Sequence, residues 1–157
     1  MERRIVVAVD ESEESTYALS WCLKNLISES SKDTIILLYV RKPPLEYPEL
    51  DGTFTAYLFS NNIRATMDKY SKDLAESVME KAKMICQSSP HVMVETKVGC
   101  GDPREVICEQ VEKLRGDLLV MGSHGYGAFK RAFLGSVSNH CANNTKLPVL
   151  IVKRPKD

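Results

Sequence analysis

Asp117-Leu118-Leu119-Val120-Met121-Gly122-Ser123-His124-Gly125-Tyr126-Gly127 is an apolar run that empties into glycines, and Gly135-Ser136-Val137-Ser138 follows ten residues after Gly125. A strand that gives way to glycines and then re-enters a helix through Gly-Ser-x-Ser leaves backbone N–H groups free to face an anion. The stretch reads as strand, phosphate-binding loop and helix. Such a unit belongs in a parallel sheet, and the flanking sequence supplies the other strands.

Residues 5–9 are a short apolar, β-branched run, and Leu19, Cys22, Leu23, Leu26 and Ile27 follow the spacing of an amphipathic helix. Residues 35–40 form a second continuous apolar run. Ile63, Met67, Tyr70, Leu74, Val78 and Ile85 then recur every three or four residues, a long helix stopped by Ser88-Ser89-Pro90. Val92, Val94, Thr96 and Val98 alternate with Met93, Glu95 and Lys97, the period of a strand with one wetter face. Asp102-Pro103-Arg104-Glu105 opens a helix with Asp at the N-cap, Pro in the first turn and Glu three residues after the cap, and Ile107, Val111 and Leu114 give it an apolar stripe. Residues 118–121 are a fourth strand, 137–144 a short helix, and Val149-Leu150-Ile151-Val152 a fifth strand after Pro148.

This alternation predicts one α/β domain over residues 1–157: a five-stranded parallel sheet with helices on both faces, Rossmann-like, with right-handed crossovers. Continuous runs in the first, second and fourth strands mark central positions, and the alternating third strand an edge. In the order 3-2-1-4-5 the fifth strand is the other edge. An apolar edge is a template for pairing, so a homodimer through Val149, Leu150, Ile151 and Val152 is expected, unless a helix or the tail covers it. Residues 41–62, with Pro43, Pro44, Pro48 and Gly52 as breakers and Tyr47, Phe54, Tyr57 and Phe59 among them, read as an irregular insertion, either lid or disorder.

Composition narrows the class of function. The 21 basic and 21 acidic residues cancel, so no global field recruits nucleic acid or an anionic membrane. No apolar run approaches the ~20 residues of a membrane span, and the amino terminus has no signal-peptide pattern. A cytoplasmic address is expected, with the nucleus as an alternative. Five cysteines, at 22, 86, 100, 108 and 141, are widely spaced and never in a Cys-x-x-Cys pair, which points to reduced, mostly buried thiols rather than a disulfide framework or zinc site.

In an open parallel sheet, ligands sit beyond the carboxyl ends of the strands where the strand order reverses, here between the first and fourth strands. Asp10 ends the first strand and the glycine segment ends the fourth. Their meeting at one crevice favours a nucleotide over a lone phosphate. Asp10 would accept from a ribose hydroxyl, hold a magnesium ion beside the phosphates, or simply face a helix N-terminus. No Gly-x-x-x-x-Gly-Lys-Ser/Thr is present, and no Gly-x-Gly-x-x-Gly follows the first strand, so neither a P-loop NTPase nor a dinucleotide site is supported.

Gly122-x-x-Gly125, nine residues, then Gly135-Ser136 matches the Gly-2x-Gly-9x-Gly-Ser/Thr signature of ATP-binding universal stress proteins. The chain resembles the small single-domain plant type along its whole length, through Val-Ala-Val-Asp10, Gly101-Asp102-Pro103 and the terminal Pro-Val-Leu-Ile-Val. The resemblance implies dimerisation through the last strand and an adenine nucleotide, ATP or AMP, in the crevice. By position, Met121, Gly122, Gly125, Gly135 and Ser136 would cradle phosphates, with Val137 and Ser138 continuing the contact. His124 would be a phosphate contact or a solvated loop residue. Ala8, Val9 and Asp10 would approach the nucleoside, and the Val40 backbone would meet the adenine.

Binding does not establish hydrolysis. No Glu or second Asp falls within residues 121–138 to position a water molecule, and Ser136 and Ser138 suit helix capping better than nucleophilic attack. The function expected is a dimeric, adenine-nucleotide-binding stress sensor or signalling module, with at most slow hydrolysis. The alternative is an interaction or chaperone-like module of the same fold with an incidental nucleotide site.

Overall fold

The computed structural model describes residues 2–42, 54–123 and 135–155, and only the backbone of 54–61. In chain order the elements are β1 (Arg4–Ala8), α1 (Glu13–Asn25), β2 (Thr34–Arg41), α2 (Phe54–Cys86), β3 (Met93–Cys100), α3 (Pro103–Lys113), β4 (Leu118–Gly122), α4 (Ser136–Asn144) and β5 (Val149–Val152). The strands form one sheet in the order β3-β2-β1-β4-β5, and all of its ladders are parallel. The expected topology is the observed one.

Strand period divides the core into two layers. Ile5 and Val7 face one side with Leu19 and Cys22 of α1 and Val78 and Met79 of α2. Val6, Ile36, Leu38 and Leu119 face the other, with Ile107 and Val111 of α3 and Cys141 of α4. Ile5, Val6 and Val7 have no exposed surface, and burying each such side chain contributes about 1.5–3 kcal/mol.

Two expectations change. Residues 54–62 are helical, so α2 begins well inside the segment read as an irregular insertion, and Arg41 belongs to β2. The breakers end at Gly52, and no Pro or Gly then interrupts the chain before Pro90, so nothing opposed a helix there. Residues 43–53 lie outside the described residues. The edge strand β3 is wet on both faces rather than one: Met93, Val94 and Val98 are exposed, and no β3 residue joins either core.

Asp33 and Asp117, just ahead of β2 and β4, both grip the start of β1. Asp33 Oδ1 accepts from Arg3 N and Nε, each at 3.1 Å, and Oδ2 accepts from Arg3 Nη2 at 2.6 Å. Arg3 Nη2 also donates to Leu26 O at 2.7 Å. On the other side Asp117 Oδ2 accepts from Arg4 N at 2.8 Å, while Asp117 N donates to Arg4 O at 2.7 Å. These bonds set the register at which β1 enters the sheet.

Gly122 closes β4 beneath α1. A Cβ there would lie 2.9 Å from both the carbonyl carbon and oxygen of Glu14, backbone atoms of α1 that cannot swing aside. The absence of a side chain lets the helix settle onto the strand.

Two predictions follow from these contacts. The Arg3 guanidinium, bonded to the carboxylate of Asp33, holds it below the usual carboxylate range. Its stabilisation is therefore complete above the unfolded value and is lost as pH falls below roughly 4 through the lower folded value. Urea unfolding across pH should show Asp33→Asn weaker by about 1–3 kcal/mol at neutral pH and with a flatter acid limb than the parent. Gly122→Ala should cost about 1–3 kcal/mol through overpacking against α1, seen as a lower midpoint in thermal unfolding.

Candidate functional site

The carboxyl ends of β1, β2 and β4 lie at one edge of the sheet, and the strand order reverses there, with β2 on one side of β1 and β4 on the other. This brings together Ala8, Val9 and Asp10 after β1, Val40 near the end of β2, and Met121 and Gly122 at the end of β4. Ala8 and Val40 pack against the α3 and α4 layer, while Val9 belongs to the α1 and α2 layer and donates its N–H to Leu38 O at 2.9 Å. Met121 is buried in the α3 and α4 layer.

Asp10 is organised by its own loop. Its Oδ1 accepts from Ser12 N at 2.8 Å and from Ser12 Oγ, and its N–H donates to Ser15 Oγ at 2.8 Å. Ser12 in turn caps α1, its Oγ accepting from Ser15 N at 3.2 Å. Ser12 and Ser15 were not among the residues singled out from the sequence. Their signal was present in Asp10-x-Ser12 and Ser12-x-x-Ser15, an Asx turn running into an N-cap. Asp10 also lines, with Glu11, Ser77 and Lys81, a cavity of about 180 Å³ between α1 and α2, smaller than the roughly 300 Å³ at which drug-sized ligand pockets begin.

The N-terminus of α4 differs from those of α1 and α3. Helix α1 has Ser12 as a side-chain cap and Glu13 and Glu14 in its first turn. Helix α3 has Asp102, which accepts from Arg104 N at 3.0 Å, and Glu105. Helix α4 starts behind Gly135, has no side-chain cap and carries no acid in its first turn. The first N–H groups of a helix have no partner within it, and the macrodipole makes that end positive. Exposed Ser136 and half-buried Val137 sit at this end, which no capping side chain and no first-turn acid among the described residues satisfies.

Neither Ser136 nor Ser138 is the cap expected of it. The N-cap position falls to Gly135, and Ser138 is buried, its Oγ 3.2 Å from Ser123 O and 3.1 Å from Gly135 O. Ser123 O also accepts from Gly135 N at 2.5 Å, while Ser123 N donates to Val152 O. The carbonyl of Ser123, another residue not singled out beforehand, thus fastens the end of β4 to the start of α4. Ser138 serves that junction, since its single proton is directed at main-chain oxygens. His124 and Gly125 lie outside the described residues.

A sequence model of the Universal stress protein family matches residues 1–153. The chain is 29% identical over 170 residues to a Universal stress protein A-like protein of Arabidopsis thaliana, covering 98% of this chain and 91% of that protein. Among solved structures, a universal stress protein family protein from Arabidopsis thaliana with AMP bound aligns at TM-score 0.67 and 24% identity, covering 99% of this chain and 94% of that one. A universal stress protein in complex with cAMP aligns at TM-score 0.63 and 20% identity, covering 96% of each chain. At those identities the structures show a shared fold, and the family match covers nearly the whole sequence. With the parallel sheet and the reversal of strand order at Asp10 and Gly122, it follows that the chain belongs to the universal stress protein family.

Proposed function

We propose that this chain binds an adenine nucleotide, ATP or AMP, across the end of the sheet and works as a dimeric sensor or signalling module. One observation carries the reading: α4, alone among the three helices with described N-caps, begins uncapped and without an acid, at the edge where strand order reverses beside Asp10. Phosphates placed there would meet the N–H groups of Ser136, Val137 and Ser138 behind Gly135, with Met121, Gly122, His124 and Gly125 completing the cradle. Ala8, Val9 and Asp10 would face the nucleoside, and the Val40 backbone the adenine. The AMP and cAMP carried by two structures of the same fold support this choice of ligand class.

Gly122 serves the fold first, because α1 occupies the space its side chain would need. A magnesium ion would have to arrive with the nucleotide. No group of three or more His, Cys, Asp or Glu side chains among the described residues could hold a metal, and Asp10 Oδ1 already accepts two bonds from Ser12. Magnesium bound through one carboxylate and substrate phosphates is compatible with that arrangement. The site holds rather than cleaves: Ser138 is committed to Ser123 and Gly135, and residues 121–138 contain no carboxylate to orient water.

The open edge of β5 is the proposed dimer seam. Pro148 O and Val152 O accept from Leu119 N and Ser123 N of the β4 side, so by alternation the N–H groups of Val149 and Ile151 face outward. Leu150 and Val152 pack into the α1 and α2 layer, which leaves backbone groups to make the pairing.

Two measurements test the reading. Calorimetric titration of AMP and ATP into protein freed of ligand by unfolding and refolding should give saturable binding. Ser136→Asp, at an exposed position, adds a negative charge beside the phosphates; it should weaken ATP about tenfold or more while leaving the thermal midpoint unchanged or raised. Absence of saturable binding by the parent would overturn the nucleotide site and favour an interaction module. For the seam, Ile151→Pro removes an outward N–H without touching the β4 ladder, and light scattering should then report a monomer where the parent is a dimer.

A further inference from the structure

Cys108 on α3 and Cys141 on α4 meet where the two helices pack, with Cys108 Sγ donating toward Cys141 Sγ at 3.9 Å. The two thiols differ in access. Cys141 is fully buried, and burial together with the neighbouring Cys108 pushes its thiol up, whereas Cys108 is partly open to solvent. One sulfur is therefore placed to meet a small oxidant and the other to resolve the product. A covalent S–S bond is ~2.05 Å, so the sulfurs must close by roughly 2 Å, within reach of side-chain rotation and a small shift of the two packed helices.

The other cysteines do not share this arrangement. Cys22 and Cys86 are both sealed in the opposite core layer, where burial pushes the Cys86 thiol up to about 11 and burial together with the neighbouring Cys86 pushes Cys22 up to about 12, so neither sulfur is open to an oxidant. Cys100 is exposed on β3. Wide spacing along the sequence argued for separate reduced thiols, yet the fold places two of them in contact across 33 positions.

We propose that Cys108 and Cys141 are a reversible disulfide site closed by a peroxide. The Cys108 thiolate attacks one oxygen of hydrogen peroxide; an S–O bond forms, the O–O bond breaks, and the departing hydroxide takes up a proton as water, leaving a sulfenic acid. Cys141 sulfur then attacks the Cys108 sulfur; the S–S bond forms, the S–O bond breaks, and hydroxide leaves with the Cys141 proton as a second water. Two thiols are oxidised by two electrons and one peroxide is reduced to two waters. A dithiol reverses the change. The bond would tie α4, the helix that opens at Gly135–Ser136, to α3, and the proposal does not rest on what that opening binds.

The test treats the full chain with a small excess of hydrogen peroxide, blocks remaining thiols by alkylation and maps tryptic peptides without reduction. The expected product links residues 105–113 to 132–146, each of which contains a single cysteine, with loss of two free thiols per chain and of about 2 Da, restored by dithiothreitol. Cys108→Ser should abolish the linked peptide and Cys100→Ser should leave it. Thiols that stay free, links that run from Cys100, or oxygen added to Cys108 without a link would each overturn the proposal. Should Cys108→Ser fold poorly, the parent's peptide map decides alone.

Discussion

Strand β1 is held between two parallel partners, and everything that forms the crevice depends on that double pairing. Ile5 stands opposite both Ile35 and Leu118, Val6 opposite Ile36 and Leu119, and Val7 opposite Leu37 and Val120. Each of these β1 side chains is fully buried against a helical layer, so a slip by one residue would exchange the contents of both layers. Asp33 and Asp117 add a polar grip on either side of its first residues, where the hydrophobic contacts are just beginning. With entry fixed, β1, β2 and β4 run parallel and the chain leaves all three at the same edge, with β2 continuing past Leu38, the partner of Ala8, to Arg41.

What happens at that edge is governed by the main chain more than by side-chain chemistry. Asp10, Ser12 and Ser15 close one turn around the entry to α1, and Ser123 O joins the end of β4 to the beginning of α4. Ser12 caps α1 as Asp102 caps α3, while α4, which has no side-chain cap, retains its positive end. A buried serine that bonds carbonyls organises the junction but has no proton chemistry left to offer a substrate.

The two borders of the sheet differ in a way that bears on assembly. Strand β3 is the longer, and it carries Glu95 and Lys97 on an exposed surface, charges that discourage addition of another strand. Strand β5 is short and wholly apolar, with alternate backbone groups turned outward. Pairing at β5 would extend the sheet without burying a charge.

Hydrophobic periodicity, with the cap at Asp102, the stop at Pro90 and the Gly135-Ser136 entry, was enough to place the five strands and four helices along the chain, because buried parallel strands must be continuous and apolar and their crossover helices must be amphipathic. Asp10 and Gly122 were legible as neighbours from their positions after the first and fourth strands, and Gly135 as the entry to the last helix. Four things were not. The start of α2 was obscured by aromatic residues that follow a run of breakers, although no Pro or Gly after Gly52 opposed a helix there. The reason for glycine at 122 lies in Glu14, a residue far away in sequence whose backbone reaches it only once α1 is docked. The roles of Ser123 and Ser138, and the contact of Cys108 with Cys141, likewise arise from packing between elements distant along the chain, and no local spacing encodes a distance that only the assembled layers create.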